Sequence, residues 1–107
     1  MEIPVEDSLV ILEGEIGKTT ICGIELYYRE GLWCEKDDDG EFMPDWDLTW
    51  FYFDKDNPSD FVYFEQDPPE TAIYNLSRIL SDRPEDVESL KQRISDKNSE
   101  KETLAAD

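Results

Sequence analysis

The segment DWDLTWFYFDKDNPSDFVYFEQ, residues 45–66, constrains the fold more than any other part of the chain. Residues 47–53 and 61–66 are rich in aromatic side chains and alternate between two faces, which is the period of a β-strand. Between them, residues 54–60 combine Asp, Asn and Pro, which favour a turn. A second loop, DDDGEFMP at 37–44, precedes the pair. The segment therefore predicts a β-hairpin with aromatic arms and an acidic tip.

The N-terminal third of the chain predicts three further strands. Residues 8–16 and 19–29 carry apolar side chains with the alternation of a strand, and residues 32–36 continue the pattern. Gly17-Lys18 and Glu30-Gly31 combine glycine with a polar residue, so they predict the turns between these strands.

Helical periodicity begins after the strands. Pro68-Pro69 ends the sheet, because proline cannot donate a hydrogen bond to a neighbouring strand. Residues 69–80 and 81–94 then carry apolar stripes at helical spacing, so they predict two helices. Residues 97–107 have no apolar period, and we expect a frayed or disordered tail there. Residues 1–96 are expected to form a single domain, since a chain of 107 residues is too short for two.

This order of elements predicts an α+β fold with an antiparallel, meander-like sheet of about five strands followed by two C-terminal helices. Two short helices cover about one face of such a sheet, yet several strands are apolar on both faces. The sequence leaves open three ways to cover the second face: curling into a half-barrel, pairing with a second copy, or docking on a partner. The residues on its two sides include Leu9 and Ile11 behind Val10 and Leu12, and Phe51 and Phe53 behind Trp50 and Tyr52.

Charge limits the partners of the chain. It carries 28 acidic and 10 basic residues, a net charge of −18, and 18 of the acids lie in residues 1–66 with only 4 bases. DNA, RNA and anionic membranes are excluded as direct partners, because they bind positive surfaces. A basic protein would be attracted.

The N-terminus and the cysteines predict a cytoplasmic protein. No basic segment followed by an apolar block resembles a signal peptide, and no apolar run is long enough to span a membrane. Cys22 and Cys34 are therefore expected to be free thiols.

The usual catalytic devices are missing from the sequence. There is no histidine, which excludes Ser-His-Asp and Cys-His arrangements and histidine metal sites. No phosphate-binding loop or dinucleotide motif is present, and two cysteines alone do not make a structural zinc site. Pairs of carboxylates such as Asp45 with Asp47 occur beside turns, where burial cannot raise their pKa for catalysis. We therefore expect no enzymatic activity and no cofactor.

The acidic loop around Gly40 matches part of the EF-hand pattern for calcium binding. Placing Gly40 at position 6 of that loop puts Glu35, Asp37 and Asp39 at positions 1, 3 and 5. Position 12, which needs a bidentate Glu, is Trp46. We therefore expect no specific metal site, and only weak divalent binding by the acidic cluster remains open.

Acids and one tryptophan in the two loops form the candidate partner-binding site. The acids would make a row comparable to the phosphates of duplex DNA if the two loops lay side by side. Trp46, between two aspartates, is the candidate aromatic anchor. The predicted site comprises Glu35, Asp37, Asp38, Asp39, Glu41, Asp45, Trp46, Asp47, Asp54, Asp56 and Asp60.

Small size, strong acidity and the lack of catalytic motifs make the chain similar in kind to bacterial immunity proteins, phage-encoded inhibitors and proteins that mimic the phosphates of DNA. That likeness implies a non-enzymatic module that inhibits or regulates a basic nuclease or nucleic-acid-binding protein. Two alternatives remain at this point. One is a homodimeric accessory domain whose acidity serves only solubility, and the other is an enzyme or small-ligand binder with an aromatic-walled pocket.

Overall fold

The computed structural model describes the backbone of residues 2–106 and the side chains of residues 2–97. Five antiparallel strands form one sheet in sequence order, and two helices follow, so the predicted α+β meander is confirmed. The elements are β1 (Glu2–Val5), β2 (Ser8–Ile21), β3 (Ile24–Lys36), β4 (Phe42–Tyr52), β5 (Phe61–Glu65), α1 (Pro69–Asp82) and α2 (Pro84–Ala106).

Both turns predicted in the N-terminal third are wrong. Gly17-Lys18 lies inside β2 and Glu30-Gly31 inside β3, while the turn falls at Cys22 and Gly23, both with positive φ. The two glycines provide space rather than a turn. A Cβ on Gly17 would lie 2.3 Å from the Tyr28 ring, and one on Gly31 would lie 3.0 Å from a backbone oxygen of β2. Cross-strand packing therefore explains these glycines.

Two long strands replace the three that the sequence predicted in this third. β1, which the sequence did not predict, supplies the fifth strand and pairs with the start of β2. Cys34 is opposite Leu9, and both cysteines are free, Cys22 exposed and Cys34 buried.

The face of the sheet that the helices do not cover, called the inner face here, is filled by its own aromatic rings. Trp46, Leu48, Trp50 and Tyr52 share this face, as their alternation predicted. The rings stack at short range, with centroids 5.1 Å apart for Trp33 and Trp46. The sheet stays open but curls around these rings, so curling, one of the three alternatives, covers the second apolar face.

A bulge in β5 changes which side chains reach the inner face. Phe61 is opposite Tyr52 and Tyr63 is opposite Phe51, so Val62 is an extra residue in β5. As a result, Phe61 and Phe64 both join the inner cluster, and Val62 and Tyr63 pack on the other side. The strict alternation predicted for this strand is therefore wrong, because a bulge shifts the register by one residue.

The opposite face, called the outer face, is covered by the helices over one half. α1 buries Ala72, Leu76 and Leu80 against β-strand residues that include Phe51. The Thr49 hydroxyl donates to the backbone oxygen of Asp67 at 2.7 Å, which fixes the chain just before α1. The helices thus lie over the end of the sheet that contains the Cys22–Gly23 turn.

The second helix is longer than its apolar stripe predicted. Its buried residues are Val87 and Leu90, both within the predicted segment 81–94. The backbone nevertheless continues as helix to Ala106, where the sequence predicted a frayed or disordered tail over 97–107, and Asp107 lies outside the described residues. Neither helix, over the part of the chain that is described, is long and apolar enough to cross a membrane.

Candidate protein-interaction site

The two acidic loops of the predicted site lie at opposite ends of β4. Residues 37–41 precede Phe42, and residues 53–60 follow Tyr52. At about 3.3 Å per residue, a strand of this length separates its ends by roughly 30 Å. The loops therefore do not lie side by side, and the single row of acids expected from the sequence is not formed by them.

One end of the sheet, called the acidic end, collects acids from two turns. Ser8 pairs with Glu35, so the β1–β2 turn lies beside the end of β3. This turn contributes Glu6 and Asp7, which the sequence prediction missed because they are remote from residues 35–41 along the chain. Within the described residues, Lys36 is the base at this end, and its ammonium lies 5.9 Å from the centre of the Phe42 ring. The acids of the acidic end are Glu6, Asp7, Glu35, Asp37, Asp38, Asp39 and Glu41.

Asp37 folds the loop of the acidic end. Its Oδ1 accepts hydrogen bonds from the backbone N–H groups of Asp39 and Glu41, both at 2.9 Å. Gly40 completes the turn with φ 83° and donates to the Asp37 carbonyl oxygen at 3.1 Å. The side chains of Asp38, Asp39 and Glu41 are exposed at the surface, where they are available to a partner.

The acids of the other loop are used largely within the molecule. Asp54 Oδ1 accepts a hydrogen bond from the Asp56 backbone N–H at 3.1 Å. Asp60, whose side chain is 23% exposed, forms ion pairs with Arg93 and Lys97 of α2. These contacts hold the loop against α2 and neutralise the charge of Asp60. Asp56 is the exposed member of the three predicted acids here.

Trp46, the candidate aromatic anchor, packs among the aromatic rings of the inner face. It is half-buried, and its ring stacks on Trp33 with an interplanar angle of 10°. Its centroid also lies 6.4 Å from that of Phe64. Its ring thus stabilises the sheet.

A cleft of about 630 Å³ opens on the outer face where α1 begins. The extra residue of a bulge in β4, Asp45, lines this cleft together with Asp47 two positions later. Among its lining residues, all of them in the described part of the chain, there is no Lys or Arg. The five carboxylates that define this acidic cleft are Glu13 of β2, Glu30 of β3, Asp45 and Asp47 of β4, and Asp67 before α1.

The negative field extends over the neighbouring outer face. Burial raises the pKa of the Cys34 thiol, and the carboxylates of Glu2 and Glu13 raise that pKa further. The thiol is therefore protonated near neutral pH and is a poor nucleophile.

In the stretch that the structure describes, no group of three or more carboxylates or thiols is arranged to hold a metal ion.

Comparison with models of known protein families gives no match, and neither the comparison with curated proteins nor the comparison with solved structures gives one.

Proposed function

We propose that this chain is a small, acidic, non-enzymatic module that binds a basic protein and inhibits or regulates it. Proteins that act on nucleic acids, such as nucleases, are the expected class of partner, because their functional surfaces are positively charged. The observation that carries the proposal is the acidic cleft, which is lined by five acidic residues from β2, β3, β4 and the segment before α1, with no base among its lining residues in the described chain.

The carboxylates of the acidic cleft affect both the stability of the chain and its attraction for a positive partner. Bringing carboxylates together repels them from one another and lowers the stability of the folded chain. A positive partner relieves this repulsion, and complementary fields raise the rate of association most strongly at low salt. The acidic end lies on the same half of the sheet as Asp45 and Asp47, so both acidic regions are available to one partner.

Homodimerisation through the apolar face opposite the helices is the less favoured alternative. That face is the inner face, and the rings of the curled sheet occupy it. An accessory domain whose charge serves only solubility remains the alternative, and it makes no use of the convergence of acids in the cleft.

The test is retention of a partner on immobilised protein. Wild type is compared with Glu13→Gln/Glu30→Gln/Asp47→Asn, which removes three of the five carboxylate charges of the cleft. The control is Asp56→Asn/Glu85→Gln/Glu88→Gln, which removes the same charge from the far loop and α2. We expect wild type and the control variant to retain a basic protein from a lysate of the source cell at low salt, with release at moderate salt. The cleft variant should retain much less of the same protein.

Two results would contradict the proposal. Equal loss of retention in both variants would mean that total charge, rather than the cleft, causes binding. Retention of nothing by wild type would favour the accessory-domain alternative.

A further inference from the structure

The half of the outer face that the helices leave uncovered has a regular cross-strand arrangement. Strand register places its side chains in rows, because directly paired residues point to the same side of a sheet. The first row contains Pro4, Leu9, Cys34 and Pro44, one from each of β1 to β4. The second row contains Glu2, Ile11, Leu32 and Asp47 in the same strand order. We call these two rows the open face.

The centre of the open face is apolar. Leu9, Ile11 and Leu32 are half-buried and are not among the residues that pack in the helix-covered cluster. Cys34, which pairs with Leu9, is only 1% exposed. Phe42, one row further toward the acidic end, is 42% exposed. An antiparallel sheet face that meets water normally carries polar side chains. A contiguous apolar centre on an uncovered face is typical of an interaction surface.

Acids frame this apolar centre on three sides. Glu2 lies at the β1 side, and Asp47 lies at the β4 side. Glu13 and Glu30 pair with each other in the next row, where α1 begins. A complementary occupant therefore carries an apolar stripe flanked by lysines or arginines.

Dimensions select a helix as that occupant. Four strands at about 4.8 Å spacing give a face roughly 15 Å across, and a helix with side chains is about 10–12 Å thick. The other half of the same face is already packed against two helices, so the sheet surface is suited to this contact. Resting on the function proposed above, we propose that the open face is the docking site for a basic amphipathic helix of the partner protein.

A partner strand or a second copy fits the open face less well. β5 pairs with Thr49–Tyr52, and no strand among the described residues pairs with the outer edge of β4 before that. That edge contains Pro44, which has no N–H, and the bulge at Asp45, two features that disfavour strand addition. A second copy would place two acidic frames against each other, which like-charge repulsion opposes.

The test uses a synthetic peptide as a probe of the docking site. A peptide of about 18 residues with Leu on one helical face and Lys on the other is titrated into wild type at low salt. A scrambled peptide of the same composition, with no apolar stripe, reports on charge alone. We expect the amphipathic peptide to bind at least about tenfold more tightly than the scrambled one.

Variants locate the binding. Ile11→Thr/Leu32→Thr should weaken the amphipathic peptide about tenfold and leave the scrambled peptide unchanged. Phe42→Ser is a second variant of the apolar surface, and because Phe42 is more exposed, its substitution should not disturb the core. Circular dichroism checks that each variant is folded. Ile79→Thr, at an exposed position of α1, is the matched control and should bind like wild type. In wild type, the peptide should shift the amide resonances of β2 and β3 near Ile11 and Leu32 rather than those of the 54–60 loop.

The outcomes separate this proposal from the function on which it rests. If both apolar variants bind the amphipathic peptide like wild type, or if the shifted amides lie elsewhere, the helix-docking proposal is wrong while the charge-based function stands. If wild type binds neither peptide at low salt, both proposals are wrong.

Discussion

The inner and outer faces of the sheet are both apolar, yet they are covered by different means. The inner face is covered by curvature, since the strands bend around stacked rings such as Trp33, Trp46 and Trp50. The outer face is covered by added elements, α1 and α2, and only over one half. The uncovered half retains an apolar centre with an acidic frame.

The difference between the two faces follows from side-chain size and charge. Large aromatic rings can fill a curled sheet from within, and each buries an area that smaller residues cannot. The helix-covered outer face instead uses Ile, Leu, Ala and Val at many of its contacts, which suit the ridges of a helix. Acids in the rows of the outer face keep the remaining half hydrated.

The largest expected effect is at the centre of the inner face. Trp50 is fully buried, and its indole N–H donates to the Pro58 carbonyl oxygen at 2.7 Å. Trp50→Ala should lower the free energy of unfolding by about 3–5 kcal/mol, because it leaves a cavity and an unpaired carbonyl. Urea denaturation followed by circular dichroism measures this loss.

Tyr74→Ala is the matched control for this aromatic truncation. Tyr74 is exposed on α1, and a surface change of this kind should alter stability by less than about 0.5 kcal/mol. Equal losses at the two sites would show that the ring stack does not hold the curl of the sheet.

A truncation in the helix-covered half of the outer face should cost less stability than Trp50→Ala. Its effect on hydrogen exchange should be confined to the helices. Leu76 is buried between α1 and the sheet, and Leu76→Ala should cost about 2–4 kcal/mol. Hydrogen exchange should then show faster opening of α1 and α2 while the amides of β3 and β4 stay protected, because local opening follows the weakest contacts. If the strands lose protection as much as the helices, the two faces unfold as one unit and the distinction between them is wrong.

Local patterns in the sequence predicted one part of this fold well. The hairpin over residues 45–66 and the first helix are set by alternation, a turn and paired prolines, all of which act between near neighbours. Glycine permits both a turn and a close cross-strand approach, so the local sequence at Gly17 and Gly31 does not show which of the two occurs. Only the facing strand, with Tyr28 over Gly17, distinguishes the two uses. The bulge at Val62 likewise depends on how β5 pairs with β4, which the sequence of β5 alone does not show.

Local sequence also predicted only some of the acids that line the acidic cleft. Asp45 and Asp47 were identified because they sit in a dense run of acids. Glu13 and Glu30 are far apart in sequence and become neighbours only through the register of β2 and β3. Asp60 was included in the predicted site, yet folding pairs it with Arg93, a residue 33 positions away. Charge density along a chain therefore indicates a surface without saying which acids reach it.

The smallest predicted effect compares one tyrosine from each face. Tyr63, on the outer side, donates to Glu65 Oε2 at 3.0 Å, and burial, this hydrogen bond and the nearby carboxylates raise the pKa of Tyr63 to about 12. Tyr63→Phe should cost about 1 kcal/mol near neutral pH through the lost hydrogen bond. Tyr52, on the inner side, is buried with a hydroxyl that has no hydrogen-bond partner among the described residues, so Tyr52→Phe should cost nothing.

The contribution of Tyr63 to stability should fall as the pH rises. An unfolded tyrosine ionises near pH 10, so the raised folded pKa stabilises the protein fully below that value. The contribution falls as the pH rises from about 10 to about 12, because the unfolded chain loses its proton first. The stability difference between wild type and Tyr63→Phe, measured by urea denaturation, should therefore shrink by about 1 kcal/mol between about pH 8 and about pH 11. A difference that stays constant over this range would mean that Tyr63 is solvated in the folded protein. A loss in Tyr52→Phe at neutral pH would mean that a buried water satisfies that hydroxyl.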